Sequence, residues 1–333
     1  MPIRPASTVL IALLVVMQIM AHAMASHPPE EQLVFVVDVE NDAFARTDRY
    51  YTSGLRLTWV RPADHEPEWV HRLARGTPLL SDEARLGLTT AIGQSIYTPA
   101  DKDATPPDPD DRPYAGWLYV TIGVDALTQA RLDRLQLTLG VVGPASLGER
   151  SQRLIHDIKG EDAPQGWSDQ LRNEPTLMLS YERQWHALAS RPDRGWEADL
   201  TPHAGASLGT PFTFANGGFM IRAGRDLPMD YGPPRIQPGL PGSGLFESRP
   251  GRWGYGFAGV DVRLVGYDLL LDGNTWRDSP SVDKERMVGD LYLGLALGFE
   301  HLRVSYTHVW RTREFRTQDQ RQTFGSLSVS WIH

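Results

Sequence analysis

The chain has 333 residues, 41% hydrophobic and 22% charged, with Trp 10, Tyr 11 and Phe 10, which is too apolar and aromatic for a disordered protein. It contains no cysteine, so a disulfide framework, a zinc–cysteine centre and a thiol nucleophile are excluded. A formal net charge of -8 argues against sequence-independent nucleic-acid binding and leaves room for divalent cations.

The amino terminus reads as an address. Arg4 precedes an apolar run from Val9 to Met20, followed by small residues from Ala21 to Ala25. This pattern predicts a signal peptide over residues 1–25, cleaved after Ala23 or Ala25. An anchoring helix needs about 20 apolar residues, and His22 and Ser26-His27-Pro28-Pro29 cut the run short. The longest later apolar stretch, Leu291 to Phe299, is also too short to span as a helix. Residues 26–333 show no domain boundary, solenoid repeat or low-complexity tract and read as one domain.

Period-2 alternation then recurs down the chain. Leu33, Phe35, Val37 and Val39 oppose Asp38 and Glu40, and Leu55, Leu57 and Trp59 oppose Arg56 and Thr58. Weaker segments follow at 86–97 and 115–127, separated by a Pro/Asp-rich loop, Thr105–Arg112. Leu135, Leu137, Leu139 and Val141 oppose Gln136 and Thr138. Residues 176–186 come next, and Trp196, Ala198 and Leu200 then oppose Glu197 and Asp199. After 211–223, Ala258, Val260, Val262 and Leu264 oppose Asp261 and Arg263. After 287–299, Leu302, Val304 and Tyr306 oppose Arg303 and Ser305. Leu327, Val329 and Trp331 oppose Ser326, Ser328 and Ser330 at the end.

About twelve segments, each of roughly 9–13 residues, match tilted strands crossing an outer membrane better than the short strands of a soluble sandwich. The pattern predicts an all-β fold, a transmembrane antiparallel β-barrel of about 12 strands. Trp59, Trp117, Tyr119, Trp253, Trp310 and Trp331 fall near segment ends, where interfacial girdles are expected. His333 departs from the aromatic residue that often ends such barrels.

One connection has helical spacing. In Gly148–Lys159, Leu154, Ile155 and Ile158 form a stripe, Gln152 and His156 stand at i,i+4, and Gly160 suits the C-cap. A short helix in an extracellular loop, packed over the barrel mouth, is the plain expectation.

Chemistry-bearing residues gather at strand ends. Asn41-Asp42 closes the first strand, Thr52 opens the second, and His156 and Glu161-Asp162 flank the end of the helix. Carboxylate and amide oxygens suit Ca²⁺, and a neutral imidazole can deprotonate water. Each residue also has an ordinary structural role: an Asn-Asp turn, a strand-forming Thr, a surface His. Parity puts Asn41 on the lipid-side face of Val37 and Val39, a costly place for an amide unless it sits at the rim or has a partner.

These residues also carry a family likeness. The run Glu40-Asn41-Asp42-Ala43-Phe44 through Thr47-Asp48-Arg49-Tyr50-Tyr51-Thr52-Ser53-Gly54 resembles the opening motif of the outer-membrane lipid A 3'-O-deacylases. Further motifs follow in the family's order: Gly93-Gln94-Ser95-Ile96-Tyr97-Thr98-Pro99, Asp111-Arg112-Pro113-Tyr114-Ala115-Gly116-Trp117, Gly143-Pro144, and Gln152 with His156 before Gly160. Gly166–Leu171, Leu271–Thr275 and Thr312–Phe315 complete the set, over essentially the whole chain after residue 25.

The resemblance implies a twelve-stranded outer-membrane barrel with its site toward the exterior, hydrolysing the 3'-linked acyl esters of lipid A in lipopolysaccharide with Ca²⁺, most simply as a monomer. It makes His156 the base that activates water, puts Asn41 and Asp42 at or beside the calcium, and gives Thr52 a hydroxyl near the reacting carbonyl. The family's acid after the helix falls on Asp162 or on its neighbour Glu161. Lys102 is the nearest candidate for the phosphate contact. Two other readings stay open: an outer-membrane phospholipase using Ser53 and His156, and a non-catalytic barrel.

Overall fold

The computed structural model describes residues 33–332 apart from 46–49, 62–66, 82, 161, 163, 191–194, 229, 237 and 239–248. The signal-peptide segment and Glu161 therefore lie outside the described residues.

The strands are β1 (Val34–Asn41), β2 (Tyr50–Arg61), β3 (Arg85–Thr98), β4 (Ala115–Leu127), β5 (Arg131–Val142), β6 (Glu174–Trp185), β7 (Leu188–Ser190), β8 (Glu197–Gly209), β9 (Phe212–Arg225), β10 (Arg249–Asp268), β11 (Met287–Glu300), β12 (Leu302–Arg311) and β13 (Gln322–Ile332). Among the described residues three α-helices interrupt them: α1 (Glu68–Gly76), α2 (Gly148–Lys159) and α3 (Leu269–Asp272). Each strand pairs antiparallel with its neighbours; β1 closes on β13, and β6 pairs with β8. The result is a closed twelve-stranded barrel, with the three-residue β7 a short appendage on β8. Closure gives each of the twelve barrel strands a partner on both sides, the condition for a sheet in lipid. One rim, here the upper, carries Asn41, Tyr50, Thr98, Ala115 and Val142; the lower carries Val34, Arg61, Arg85 and Leu127.

The alternation read from the sequence maps onto the two faces of the wall. Leu137, Leu139, Leu177, Leu179, Val262, Leu264, Leu293 and Leu295 are exposed on the outer face. Asp38, Asp261, Arg263, Arg303 and Ser330 are buried in the lumen. There the charges are paired: Arg56 donates to Asp38, Arg311 binds Asp290 through two bonds of 2.7 and 2.8 Å, and His203 Nε2 lies 2.9 Å from Asp261. Buried ions are tolerated when each is paired in this way.

The lumen is also filled by chain. After β9, residues from Leu227 turn back inside the wall, and Leu227, Tyr231 and Ile236 are buried. Asp230 bridges Arg222 and Arg303. Further along, Arg235 Nε and Ile236 N both donate to Glu40 Oε1 at 3.3 Å, near the upper end of β1. The segment thus runs from the lower rim almost to the upper one, as a plug.

Two expectations need correction. Trp117, Tyr119 and Trp253 are buried in the lumen-side core, not set in an interfacial girdle. Trp117 Nε1 donates to Thr176 Oγ1 at 3.0 Å, a partner that a lipid-facing indole would lack. Trp310 is exposed, and Trp59 and Trp331 join an outer cluster, as girdle residues would. The second correction concerns α2, which has the predicted bounds and the left-handed Gly160 cap. It does not cover the mouth: it lies on the outer wall, and its apolar stripe is turned away from the barrel. Leu154, Ile155 and Ile158 are 61%, 38% and 57% exposed, whereas Gln152 and His156 are buried.

Candidate active site

The outer wall at the upper rim of β1–β4 carries the site. Along β1, Asp38 and Glu40 are buried in the lumen, so Asn41, one residue on, lies on the outer face. The register pairs Asn41 with Ser53 on β2 and with Gly325 on β13. The β2–β3 register is broken between Tyr51 and Ser53, which releases Thr52 from the ladder. Asn41 braces this bulge. Its Nδ2 donates to the Thr52 carbonyl at 2.9 Å, and its Oδ1 accepts from Ala43 N at 2.8 Å. These are the partners that a rim amide requires. Asp42 is buried and opens a short 3-10 turn over Asp42–Ala45.

Along β3, Ser95 and Tyr97 belong to the lumen side, so Gln94, Ile96 and Thr98 face out. Thr98 Oγ1 shares a hydrogen bond with Thr52 Oγ1 at 2.7 Å. Gln94 Nε2 donates to the Ser146 carbonyl at 2.6 Å, just ahead of α2. One strand therefore ties both the Asn41–Thr52 group and the base of the helix to the same face.

The roll of α2 about its axis is fixed from below. Gly148 lies directly on Gly116 of β4. Trp167, packed with Tyr114 and Ile96, donates its Nε1 to Gln152 Oε1 at 2.7 Å. Four residues later on the same helical face, His156 is likewise turned inward and is 7% exposed. Its Nδ1 lies 2.7 Å from the Asp162 carbonyl. A carbonyl only accepts, so Nδ1 carries a proton, which leaves Nε2 as the position that holds the lone pair in the neutral tautomer.

The other predicted residues are placed as follows. Asp162 reaches the histidine through its backbone oxygen, while the residue itself is exposed. Lys102 sits in the β3–β4 loop, whose position is fixed at the Lys102 carbonyl by Tyr114 Oη and Gln165 N, both at 3.0 Å. That loop is thereby held against the segment following α2. In the same loop, burial pushes the Asp111 carboxyl above the ordinary range, although it accepts from Ala100 N at 2.7 Å. Arg112 is buried against Glu314 and lies 4.5 Å over the Tyr97 ring, locking the loop to the far side of the rim.

Among the described residues, no three His, Asp or Glu side chains gather closely enough to hold a metal ion. The donors at the rim are an amide, a carboxylate and a hydroxyl, from Asn41, Asp42 and Thr52. All are hard oxygens, the kind that Ca²⁺ takes and that soft transition metals do not prefer. Sequence reasoning alone did not single out Gln94, Thr98 or Trp167, whose motifs were visible but whose shared outward face was not.

A closed barrel with an apolar outer belt, a plugged lumen and a polar site on its outer wall defines an outer-membrane protein with an externally facing site. Its lumen is not the route to that site. The family described as outer membrane protein LpxR matches residues 9–333, and the chain belongs to it. This is the lipid A 3'-O-deacylase family, and the relationship supports an enzymatic role. Among solved structures, LpxR from Salmonella typhimurium is similar over 90% of this chain and 100% of that one, at 23% identity and a TM-score of 0.73. The beta domain of the Bordetella autotransporter BrkA covers 91% of this chain and 98% of its own, at 11% identity and a TM-score of 0.44. No curated protein matches.

Proposed function

We propose that the protein hydrolyses the ester holding the 3'-linked acyl chains of lipid A in the outer leaflet, in a calcium-dependent reaction with His156 as general base. The observation that carries this reading is the buried His156 ring, with Nδ1 committed to the Asp162 carbonyl and the helix pressed to the outer wall. Nε2 takes a proton from water as the water oxygen bonds to the ester carbonyl carbon; the bond from that carbon to the sugar oxygen then breaks, the ring returns the proton to the leaving sugar hydroxyl, and the acyl chain departs as a fatty acid. General-base action of this kind contributes about 10²–10⁴-fold. Asn41 and Asp42, with Asp162 or Glu161 after the helix, would hold a calcium ion, which supplies positive charge opposite a developing oxyanion.

Thr52 keeps its hydroxyl on Thr98, which favours a positioning role near the reacting carbonyl over nucleophilic attack. Lys102 would meet an anionic headgroup from the loop held beside the helix. The substrate is lipid A or the lipopolysaccharide that carries it.

Mass spectrometry of lipid A from cells with and without the protein tests the reading. The expected result is loss of two acyl groups from one sugar position, absent with His156→Ala. Thin-layer chromatography of phospholipids from the same cells separates the alternatives. Fatty acid released from phospholipid alone would favour a phospholipase, and unchanged lipids in both assays a non-catalytic barrel.

A further inference from the structure

The lower rim carries a second wall-mounted helix, α1, that the proposed chemistry does not use. Val70 and Ala74 of α1, with Leu80 just beyond it, are buried against Leu86, Leu88, Val124 and Ala126. Those strand positions are on the outer face. Leu88 alternates with Thr89, whose hydroxyl donates to the buried Asp125 at 2.6 Å inside the lumen. Higher on the same columns, Ile92, Val120 and Ile122 are 41%, 50% and 41% exposed, as part of the lipid-facing belt. α1 is therefore bound to the lower end of the belt itself.

Its remaining faces are divided. At 100° per residue, Trp69 and Leu73 extend the buried Val70–Ala74 arc to one side, and His71, Arg72, Arg75 and Glu68 occupy the opposite arc. Trp69, Leu73 and the following Leu79 are 38%, 37% and 37% exposed. Arg75 Nη2 and Glu68 pair at 2.9 Å on the open polar side. The loop after the helix is fastened to the wall, since the Leu79 carbonyl accepts from Tyr181 Oη at 3.2 Å and from Arg183 Nη2 at 3.3 Å. A helix held flat on the wall, with half of its apolar arc uncovered beside a lipid-facing belt, matches an interfacial amphipathic helix.

We propose that α1 is an interfacial anchor: Trp69, Leu73 and Leu79 enter the phospholipid acyl layer of the periplasmic leaflet, and Arg72 and Arg75 remain at its headgroups. Continuity of the helix with the belt selects lipid as the occupant. A tryptophan at the boundary and arginines on the opposite arc suit that depth. This inference is independent of the deacylase reading, because it concerns the opposite rim.

The chain has no cysteine, so a single Leu73→Cys or Arg72→Cys substitution gives a unique labelling site. The full-length protein, labelled with an environment-sensitive fluorophore, is inserted into phosphatidylethanolamine–phosphatidylglycerol vesicles, and folding is checked by heat-dependent gel mobility. The label at position 73 is expected to emit to the blue of that at 72 and to be quenched by spin-labelled phospholipid. The label at 72 is expected to be quenched by aqueous iodide. If both labels are equally open to iodide, the proposal is overturned. Shielding of position 73 from both quenchers would mean a protein partner and would overturn it as well. If position 73 does not tolerate the label, Trp69→Cys gives the same readings.

Discussion

Gly116 and Gly148 touch so closely that a Cβ built on either one would stand 3.0 Å from the Cα of the other. The contact presses the first turn of α2 onto the outer face of β4. No side chain fits between them without moving the helix. Gly116→Val is therefore expected to lift α2 and lower deacylation by at least about tenfold, a barrier change near 1.4 kcal/mol. Heat-dependent gel mobility should still report a folded barrel, because the strand's own ladder is intact. Full activity in this variant would mean that the seat of the helix does not matter.

Replacing His156 with Ala should reduce acyl release by about 10²–10⁴-fold, the range of a general base. Its thermal unfolding should stay close to that of the parent, since the ring makes its bond to a loop carbonyl outside the sheet. Chelation of calcium should silence the parent to a similar degree, and re-added Ca²⁺ should restore it better than Mg²⁺, which demands tighter octahedral geometry. Fatty-acid release measured with and without chelator checks both outcomes.

Trp167→Phe keeps an aromatic ring beside Tyr114 and Ile96 but removes the Nε1–H donated to Gln152, together with the part of the indole that reaches Gly148. Losing one buried hydrogen bond costs roughly 1–3 kcal/mol when the acceptor is left without a partner. The expected effect falls on the orientation of α2: kcat drops and KM is nearly unchanged. A loss confined to KM would place Trp167 in substrate binding instead.

Asp230 offers a test of the plug. Its carboxylate lies between Arg222 and Arg303, so Asp230→Ala leaves two buried guanidinium groups without this partner. Breaking such an arrangement costs roughly 3–5 kcal/mol, and urea unfolding should show the loss. In planar bilayers the parent should pass no steady ionic current, while the variant should show intermittent openings. A large, constant conductance in the parent would contradict a filled lumen.

The strands were legible because a wall with lipid on one side and packed polar groups on the other imposes strict alternation, and Asp38 and Val37 fell as that rule requires. Asn41 was legible for the same reason: parity carried it to the outer face. The orientation of α2 was not. The usual rule sends a stripe such as Leu154, Ile155 and Ile158 toward the protein, and next to a lipid belt the rule inverts. Trp117 and Trp253 were misread because the lumen is a packed interior that also accepts indoles. The plug gave no signal, since Asp230 and Arg235 lie in a stretch without periodicity and acquire meaning only once folding brings Arg222, Arg303 and Glu40 to them. At the site, residue type pointed to Asp162, but its contact with His156 is made by the backbone oxygen, which no side-chain pattern encodes.

Because Asn41, Thr52 and Gln94 share the outward face while the plug fills the centre, the proposed lipid substrate would reach them sideways, by two-dimensional diffusion. The quantity that governs encounter is then a mole fraction within one sheet of lipid, not a molarity in solution. Diluting the surrounding lipid with inert detergent or phospholipid should slow turnover even when the bulk concentrations of protein and substrate are held constant.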